Sequence, residues 1–155
     1  MRLMTRSLDG LKVAVTGGTG FLGAHVVRAL AEAGAGVSVL VRPRSDRARL
    51  APFGPRWVEG DLSSPEALSS LARGADAFVH AAGLVSSPGM GRYHEVNVEG
   101  TRRAVSAADG ERVGTFVLVS SQAAAGPTPQ GGPPRREEDP PDPRSNYARS
   151  KLAAE

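Results

Sequence analysis

The sequence of 155 residues contains no cysteine. This absence excludes a disulfide framework and a thiolate metal site, and no metal-binding residue is predicted. No apolar run reaches the length that crosses a membrane, and the first ten residues lack the apolar core of a signal peptide. We therefore expect a cytoplasmic protein with no membrane partner.

Lysine is scarce, because 17 of the 19 basic residues are arginine and only Lys12 and Lys151 are lysine. The arginines are scattered, without the dense block or interleaved aromatic residues that nucleic-acid-binding surfaces show. We therefore expect no nucleic-acid partner. The length and the 40% hydrophobic content are typical of one globular domain. We predict this domain over residues 11–155, after a short lead-in of residues 1–10.

Glycine is abundant, and it concentrates in the segment Thr16–Gly23. This segment follows an apolar run, 11–15, and opens a helical pattern that extends to Ala33. Its glycines have the spacing G-x-x-G-x-x-G, and glycine allows a sharp turn that brings backbone N–H groups close to a pyrophosphate. The order strand, glycine loop, helix favours a dinucleotide site over an ordinary turn. The predicted cofactor residues here are Gly17, Gly18, Thr19, Gly20, Phe21, Leu22 and Gly23.

Apolar segments and helical patterns alternate along the rest of the chain. Such short apolar strands, separated by helices, indicate a parallel sheet that is covered on both faces, in a doubly wound α/β fold. Ser64 is predicted to cap the second of these helices, 65–71, whose first residue is Pro65. The predicted strands are 11–15, 37–41, 56–59, 76–80 and 115–120, and the predicted helices are 21–33, 65–71, 93–107 and a segment from 147 onward.

The segment Gly126–Pro143 interrupts this alternation. It is rich in proline and contains the charged cluster Arg135–Asp139. Its composition alone is typical of a linker or a disordered segment. Because it lies between Ser121 and Tyr147, we predict that it is an active-site loop.

Ser121, Tyr147 and Lys151 form a second group of chemically suited residues. On a helix, the side chains of Tyr147 and Lys151 share one face, one turn apart. A phenol with an ordinary pKa of about 10 is a poor base at neutral pH, but a neighbouring ammonium stabilises the phenolate. Such a pair can exchange a proton with a carbonyl or carbinol oxygen, which Ser121 can also hydrogen-bond. Taken alone, this spacing is weak evidence, because many helices carry it by chance and a surface tyrosine packed along a lysine side chain is the more frequent case.

The order of these motifs resembles the extended short-chain dehydrogenase/reductases, the NAD-dependent epimerase/dehydratase family. The matching residues are the glycine loop, His80–Gly83, Asn97, Ser120–Ser121 and the Tyr147/Lys151 pair, and the resemblance covers residues 11–155. The run Val119–Pro127 is similar to the 3β-hydroxysteroid dehydrogenase-like and dihydroflavonol reductase-like members. It lacks the Val-Tyr-Gly turn that is frequent in sugar-nucleotide epimerases. The resemblance implies a Rossmann-type sheet with the strand order 3-2-1-4-5.

The resemblance also implies roles for individual residues. Ser121 would polarise the substrate oxygen, Tyr147 would transfer the proton, and Lys151 would also hold the nicotinamide ribose. Tyr147 and Lys151 therefore count as cofactor-binding residues too. Asn97 would help to hold the architecture of the active site. It is also predicted to be a cofactor-binding residue, together with Ala81, Ala82 and Gly83.

The end of the second predicted strand bears on the choice of cofactor. NAD-binding folds place an acidic residue there, whereas an arginine accommodates the 2′-phosphate of NADP. Here Val41 occupies that position and Arg42 follows it, so NADP is expected and NAD is the alternative. An arginine on a solvated loop would look the same. By resemblance, Asp61 and Leu62 would contact the adenine.

The sequence therefore predicts an NADP-dependent oxidoreductase that moves a hydride between nicotinamide and a carbonyl or secondary alcohol of a small-molecule substrate. Two alternatives stay open: a nucleotide-sugar epimerase or dehydratase with retained NAD, and a cofactor-binding module without catalysis. Because extended members are about twice as long, we expect an N-terminal fragment without the substrate lobe, with marginal stability and with little or no turnover of its own. The family also forms homodimers, so a homodimer is a further expectation.

Overall fold

The computed structural model describes residues 7–128 and 130–155. The strands are β1 (Lys12–Thr16), β2 (Gly36–Val41), β3 (Arg56–Glu59), β4 (Ala77–His80) and β5 (Thr115–Leu118). The helices are α1 (Phe21–Glu32), α2 (Pro65–Ala72), α3 (Met90–Tyr93), α4 (Gly100–Gly110), α5 (Gln122–Ala125) and α6 (Asn146–Ala154). A 3-10 turn spans Ala51–Phe53, and a π-helical segment, His94–Glu99, joins α3 to α4.

The chain divides into two compact units, which are described separately below. The first unit comprises the described residues up to Ala82 together with Arg103–Leu118, and it contains the five-stranded sheet. The second unit comprises Gly83–Arg102 and Val119–Glu155. The sequence predicts one domain over residues 11–155, and the division into two compact units does not test this prediction.

The sheet of the first unit confirms the predicted Rossmann-type fold. Its strand order is β3-β2-β1-β4-β5, and all neighbouring strands are parallel. In the register of β1 and β4, Thr16 pairs with His80. The segments that follow these two strands, the glycine loop and Ala81–Ala82, therefore start side by side at the carboxyl edge of the sheet.

Apolar side chains cover both faces of this sheet, because successive residues of a strand point to opposite sides. One cluster buries alternate valines of β1 and β2 against α1, and the other packs α2 and part of α4 around Phe78. The first cluster contains Val13, Val15, Ala24, Val27, Ala35, Val37, Val39, Val41 and Leu50. The second contains Ala14, Leu40, Val58, Leu68, Leu71, Ala72, Phe78, Ala104 and Ala108.

In the second unit, α3, the π-helical segment and α5 pack against α6. Among the described residues, the proline-rich segment contains neither helix nor strand, and its return is fixed by a hydrogen bond from Asp142 N to Ala125 O at 2.9 Å. Its role as an active-site loop stays a prediction.

Several details differ from the sequence predictions. The helix predicted over 93–107 extends over 90–110 and contains the π-helical segment. Ser64 occupies the N-cap position of α2, but its hydroxyl donates to Asp61 instead of capping the helix. The short helix α5 was not predicted. Within the described part of the chain, no helix combines the length and the apolar character that crossing a membrane requires.

Candidate active site

The glycine loop of the first unit packs backbone directly against backbone. Gly17 has a φ of +72°, and a Cβ at this position would lie 2.5 Å from Ala82 N. A Cβ at Gly23 would lie 2.1 Å from Gly17 O. Both positions therefore leave no room for a side chain, and the tight turn depends on glycine.

The loop ends at the N-terminus of α1, which has no capping side chain. Gly20 is the N-cap residue, it makes no side-chain cap, and the first turn contains no acidic residue. The next two residues, Phe21 and Leu22, are 79% and 51% exposed. An uncapped helix start of this kind presents unpaired N–H groups and the positive end of the helix dipole, which fits a pyrophosphate.

A buried polar pair joins the ends of β1 and β4. Thr16 Oγ1 lies 2.7 Å from His80 Nδ1, and both residues are fully buried. Ala81 N donates to Thr16 O at 3.1 Å, and Ala82 N to Thr16 Oγ1 at 3.4 Å. These bonds hold Ala81 and Ala82 against the glycine loop, so these predicted cofactor residues share one site.

The segment after β2 forms an open arginine-lined cavity. Arg42, Pro43, Arg44 and Ser45 surround a volume of about 490 Å³. Ser45 Oγ accepts a hydrogen bond from Arg42 N, which shapes the turn. The neighbouring Arg47 is engaged elsewhere, because it pairs with Glu59 and stacks 5.6 Å from the centre of the Trp57 ring.

Asp61, which follows β3, is held as an anion. The hydroxyl and the backbone N–H of Ser63 donate to Asp61 Oδ1 at 2.6 and 2.8 Å. These hydrogen bonds, with smaller contributions from Ser64 and the charge of Arg42, lower the pKa of Asp61 below its ordinary value. A fixed carboxylate is a suitable acceptor for an amino group, whereas Leu62 packs beside the second apolar cluster.

In the second unit, Ser121 is the N-cap residue of α5. Its Oγ accepts a hydrogen bond from Ala123 N at 3.2 Å, so the hydroxyl hydrogen stays available for donation. Ser120 differs, because its hydroxyl is bonded to Glu155. Of the two serines, Ser121 is therefore the one whose hydroxyl can donate to a substrate oxygen without losing a side-chain partner.

Tyr147 and Lys151 lie one turn apart on α6, as predicted from their spacing. Lys151 is only 4% exposed, and its Nζ donates to Val119 O at 2.8 Å. A Cβ at Gly83 would lie 4.0 Å from this Nζ. Burial lowers the pKa of Lys151 below the ordinary 10.5, and the nearby Glu155 carboxylate partly opposes this shift.

The chain's composition makes the titration of Lys151 directly measurable. With [¹³Cε]lysine, only Lys12 and Lys151 give signals, and a Lys12→Arg variant identifies the Lys151 resonance. We expect this resonance to titrate below pH 10.5, and Glu155→Gln to move it lower still. A midpoint at or above 10.5 would show that the ammonium is not desolvated.

The same shift has a consequence for stability. The unfolded chain binds the Lys151 proton more tightly than the folded chain does, so the free energy of unfolding rises with pH between the lowered folded pKa and the unfolded value of 10.5. Below this window, the buried ammonium reduces stability. Urea unfolding at several pH values should show this rise in the wild type and a smaller rise in Lys151→Met.

Asn97, inside the π-helical segment, connects two parts of the second unit. Its Oδ1 accepts from Leu84 N at 2.7 Å, while its Nδ2 donates to Leu84 O at 3.0 Å and to Ser150 Oγ at 2.8 Å. The amide is 1% exposed, and these bonds place it in the framework of the unit. Ser150 was not predicted, although it lies beside Lys151. The cofactor-binding role of Asn97 stays a prediction, as do the ligand-binding roles of the other predicted site residues.

A cavity of about 530 Å³ lies beside α5 and α6. Much of its lining consists of small or apolar residues, and polar groups stand among them. The lining residues are Gln122, Ala123, Gly126, Pro127, Thr128, Arg144, Ser145 and Ala148. Ala123 and Ala148 are close in sequence to Ser121 and Tyr147, respectively.

Residues 13–155 match the family model described as "NAD dependent epimerase/dehydratase family". This chain belongs to the NAD-dependent epimerase/dehydratase family. The match covers both units and includes the glycine loop, Ser121, Tyr147 and Lys151. The predicted resemblance is thereby confirmed.

Named relatives in this family include reductases, dehydrogenases and dehydratases. The chain is 41% identical over 150 residues to a ceramide reductase of Caulobacter vibrioides, covering 92% of this chain and 40% of that protein. It is 34% identical over 128 residues to human 3 beta-hydroxysteroid dehydrogenase type 7, covering 77% and 35%. The dTDP-glucose 4,6-dehydratase DesIV of Streptomyces venezuelae, solved with NAD and TYD bound, superposes with a TM-score of 0.83 at 32% identity, covering 93% and 49%. The chain thus spans less than half the length of these relatives.

Proposed function

We propose that this chain provides the cofactor and proton-transfer residues of an NADP-dependent oxidoreductase that acts on a carbonyl or secondary alcohol. The observation that most supports this proposal is the buried Lys151 one helical turn from Tyr147, in the same unit as Ser121. A buried ammonium is costly for the fold, and buried titratable groups are typical of sites that move protons. The uncapped, glycine-rich start of α1 supports the cofactor half of the proposal.

When bound, the nicotinamide supplies or accepts the hydride. Tyr147 donates a proton from its phenol oxygen to the substrate oxygen during reduction, and takes it back during oxidation. The ammonium of Lys151 stabilises the phenolate that remains, and Ser121 donates its hydroxyl hydrogen to the same substrate oxygen. The N–H groups at the start of α1 would hold the pyrophosphate of the cofactor.

We further propose that the substrate is an apolar ketone or its alcohol. The cavity beside α5 and α6 offers small apolar side chains, including Ala123, Pro127 and Ala148, and an apolar lining favours an apolar ligand. The names of two relatives point the same way, since one is a ceramide reductase and another a 3 beta-hydroxysteroid dehydrogenase.

The test is NADPH oxidation by the purified full chain with ketones of increasing alkyl length and with polar ketones of equal size. We expect kcat/KM to rise with alkyl length, and one NADPH to be consumed for each alcohol formed. A kcat/KM that falls with alkyl length would contradict the apolar substrate, and NADPH consumption without alcohol formation would contradict the reductase assignment.

Arg42 provides the test of the cofactor preference. We expect Arg42→Ala to weaken NADPH binding about 10- to 100-fold and to leave NADH binding nearly unchanged, because a charge-assisted contact to phosphate contributes about 1.5–3 kcal/mol. Fluorescence of Trp57, the single tryptophan, can report binding. Arg49→Ala is the control, since Arg49 is exposed in the same segment but does not line the arginine cavity. Equal loss of both cofactors would show that Arg42 does not recognise the 2′-phosphate.

A second candidate is a nucleotide-sugar dehydratase or epimerase, which the likeness to DesIV favours. Such an enzyme removes and returns the hydride, so the cofactor is not consumed overall. Tightly retained NAD in the purified chain, together with product formation without net NADPH oxidation, would support this candidate over the reductase.

A further inference from the structure

The chain has two tyrosines, and they contact each other within the second unit. The ring centroids of Tyr93 and Tyr147 are 6.3 Å apart, and the ring planes are inclined by 55°. Tyr93 is 7% exposed, so its ring is a fixed neighbour. This separation lies in the range in which aromatic pairs stabilise one another.

The Tyr93 hydroxyl also holds a segment without regular structure. It accepts a hydrogen bond from Ser87 N at 3.0 Å and donates one to Val85 O at 3.3 Å. Four residues later on the same helical run, the amide of Asn97 binds both backbone groups of Leu84. Residues 84–87 form neither helix nor strand, so these two side chains supply backbone partners that a regular element would otherwise provide.

Two interactions connect Tyr147 to the helical run that contains Tyr93 and Asn97. Its ring contacts Tyr93, and its carbonyl oxygen accepts a hydrogen bond from Ser150 Oγ at 2.7 Å. Ser150 Oγ is itself held by Asn97 Nδ2 at 2.8 Å. The side chain and the backbone of Tyr147 are thus both tied to residues 93–97.

We propose that Tyr93 is a positioning residue: its hydroxyl fixes the 84–87 segment and its ring fixes the orientation of the Tyr147 phenol. The catalytic part of this proposal rests on the proposed function, in which Tyr147 transfers the proton. A phenol that is free to rotate would spend less time aligned with the substrate oxygen, and such misplacement slows proton transfer. If Tyr93 served only to pack the fold, its replacement would not lower kcat selectively.

The hydroxyl contact is tested without any substrate, by amide hydrogen exchange in Tyr93→Phe. This variant keeps the ring and removes only the hydroxyl, so it should fold. We expect exchange at Ser87 N–H to accelerate at least about tenfold, as a lost hydrogen bond of about 1.4 kcal/mol requires. The Leu84 N–H, which is bound to Asn97, is the internal control and should stay protected. An unchanged exchange rate at the Ser87 N–H would overturn the proposal that the Tyr93 hydroxyl fixes residues 84–87.

The ring contact is tested with [¹³Cζ]tyrosine, because wild type gives only two signals. The Tyr147→Phe variant lacks one of the two signals and thereby assigns both. We expect the Tyr147 signal to keep its position in Tyr93→Phe and to shift and broaden in Tyr93→Leu, where the ring is lost. An unshifted Tyr147 signal in Tyr93→Leu would overturn the positioning role. If Tyr93→Leu does not fold, a Tyr93→Met variant gives the same comparison.

Kinetics then connect the contact to function. We expect Tyr93→Leu to lower kcat for ketone reduction by about 10- to 100-fold with an unchanged KM for NADPH, since orientation and not cofactor binding is impaired. Arg92→Gln, an exposed neighbour on α3, is the control and should keep wild-type kcat. An unaltered kcat in folded Tyr93→Leu contradicts the positioning role. A wild type that consumes NADPH without forming an alcohol contradicts the proposed function instead, and the NMR comparison still decides the positioning role.

Discussion

Replacing Tyr147 with phenylalanine is expected to lower kcat for carbonyl reduction by about 10²- to 10⁴-fold, the range that proton transfer by a positioned side chain contributes. The variant keeps the ring that contacts Tyr93 and loses only the hydroxyl that donates the proton. Cofactor affinity should change by less than about tenfold, because one hydrogen bond contributes about 1 kcal/mol. Rates of NADPH oxidation at saturating substrate and Trp57 fluorescence titrations measure the two effects separately.

A matched control comes from the neighbouring serine pair. Ser120→Ala also removes one hydroxyl from the second unit, but that hydroxyl is bonded to Glu155 and is not assigned to the reaction. We expect this variant to retain kcat within about threefold, since a surface contact of this kind contributes little. If Tyr147→Phe retained wild-type turnover, Tyr147 would not be the proton donor. If cofactor binding and every cellular effect also survived, the non-catalytic interpretation would gain support.

The second large effect is expected in the glycine loop. Gly23→Ala places a Cβ 2.1 Å from Gly17 O, an overlap with backbone that no side-chain rotation relieves. Overpacking of this kind costs about 1–3 kcal/mol or more, so we expect a lower free energy of unfolding and at least about a hundredfold weaker cofactor binding. Urea unfolding without cofactor and fluorescence titration with NADPH measure these changes.

Gly20→Ala is the matched comparison within the same loop. A Cβ there would approach only Gly17 O, at 3.2 Å, and the backbone, with φ −75° and ψ 173°, accepts alanine. We expect the stability of this variant without cofactor to stay within about 1 kcal/mol of wild type. Cofactor binding should nevertheless weaken, because the new methyl group lies at the helix start that receives the pyrophosphate. Wild-type stability and binding in Gly23→Ala would show that the loop does not approach as closely as described.

The sequence predicted the alternating elements of the fold because their signals are local. Strand β3 has the predicted bounds, Arg56–Glu59, because Pro55 before it and Gly60 after it mark its ends. The fifth strand was predicted to reach Ser120 but ends at Leu118. The carbonyl of Val119 is bonded to Lys151 instead, and this partner is 32 residues away, beyond the reach of a local pattern.

The helix through Asn97 shows the same limit. Its apolar pattern predicted a regular helix, whereas the structure contains a π-helical segment at His94–Glu99. The Asn97 amide within it binds Leu84 and Ser150, which are 13 and 53 residues away. Local periodicity holds no information about such partners, so neither the π-helical segment nor the contacts of Tyr93 and Ser150 could be predicted.

The sequence by itself determined which chemical groups are present and their order along the chain. The order of the glycine loop, Ser121 and the Tyr147/Lys151 pair predicted the family, and the alternation of apolar strands with helices predicted the parallel sheet. Only the tertiary structure decided that Lys151 is buried, that Ser121 and not Ser120 keeps its hydroxyl hydrogen available, and that Tyr93 contacts Tyr147. These properties depend on packing between residues that are far apart in the chain, and burial and hydrogen-bond partners exist only once that packing is formed.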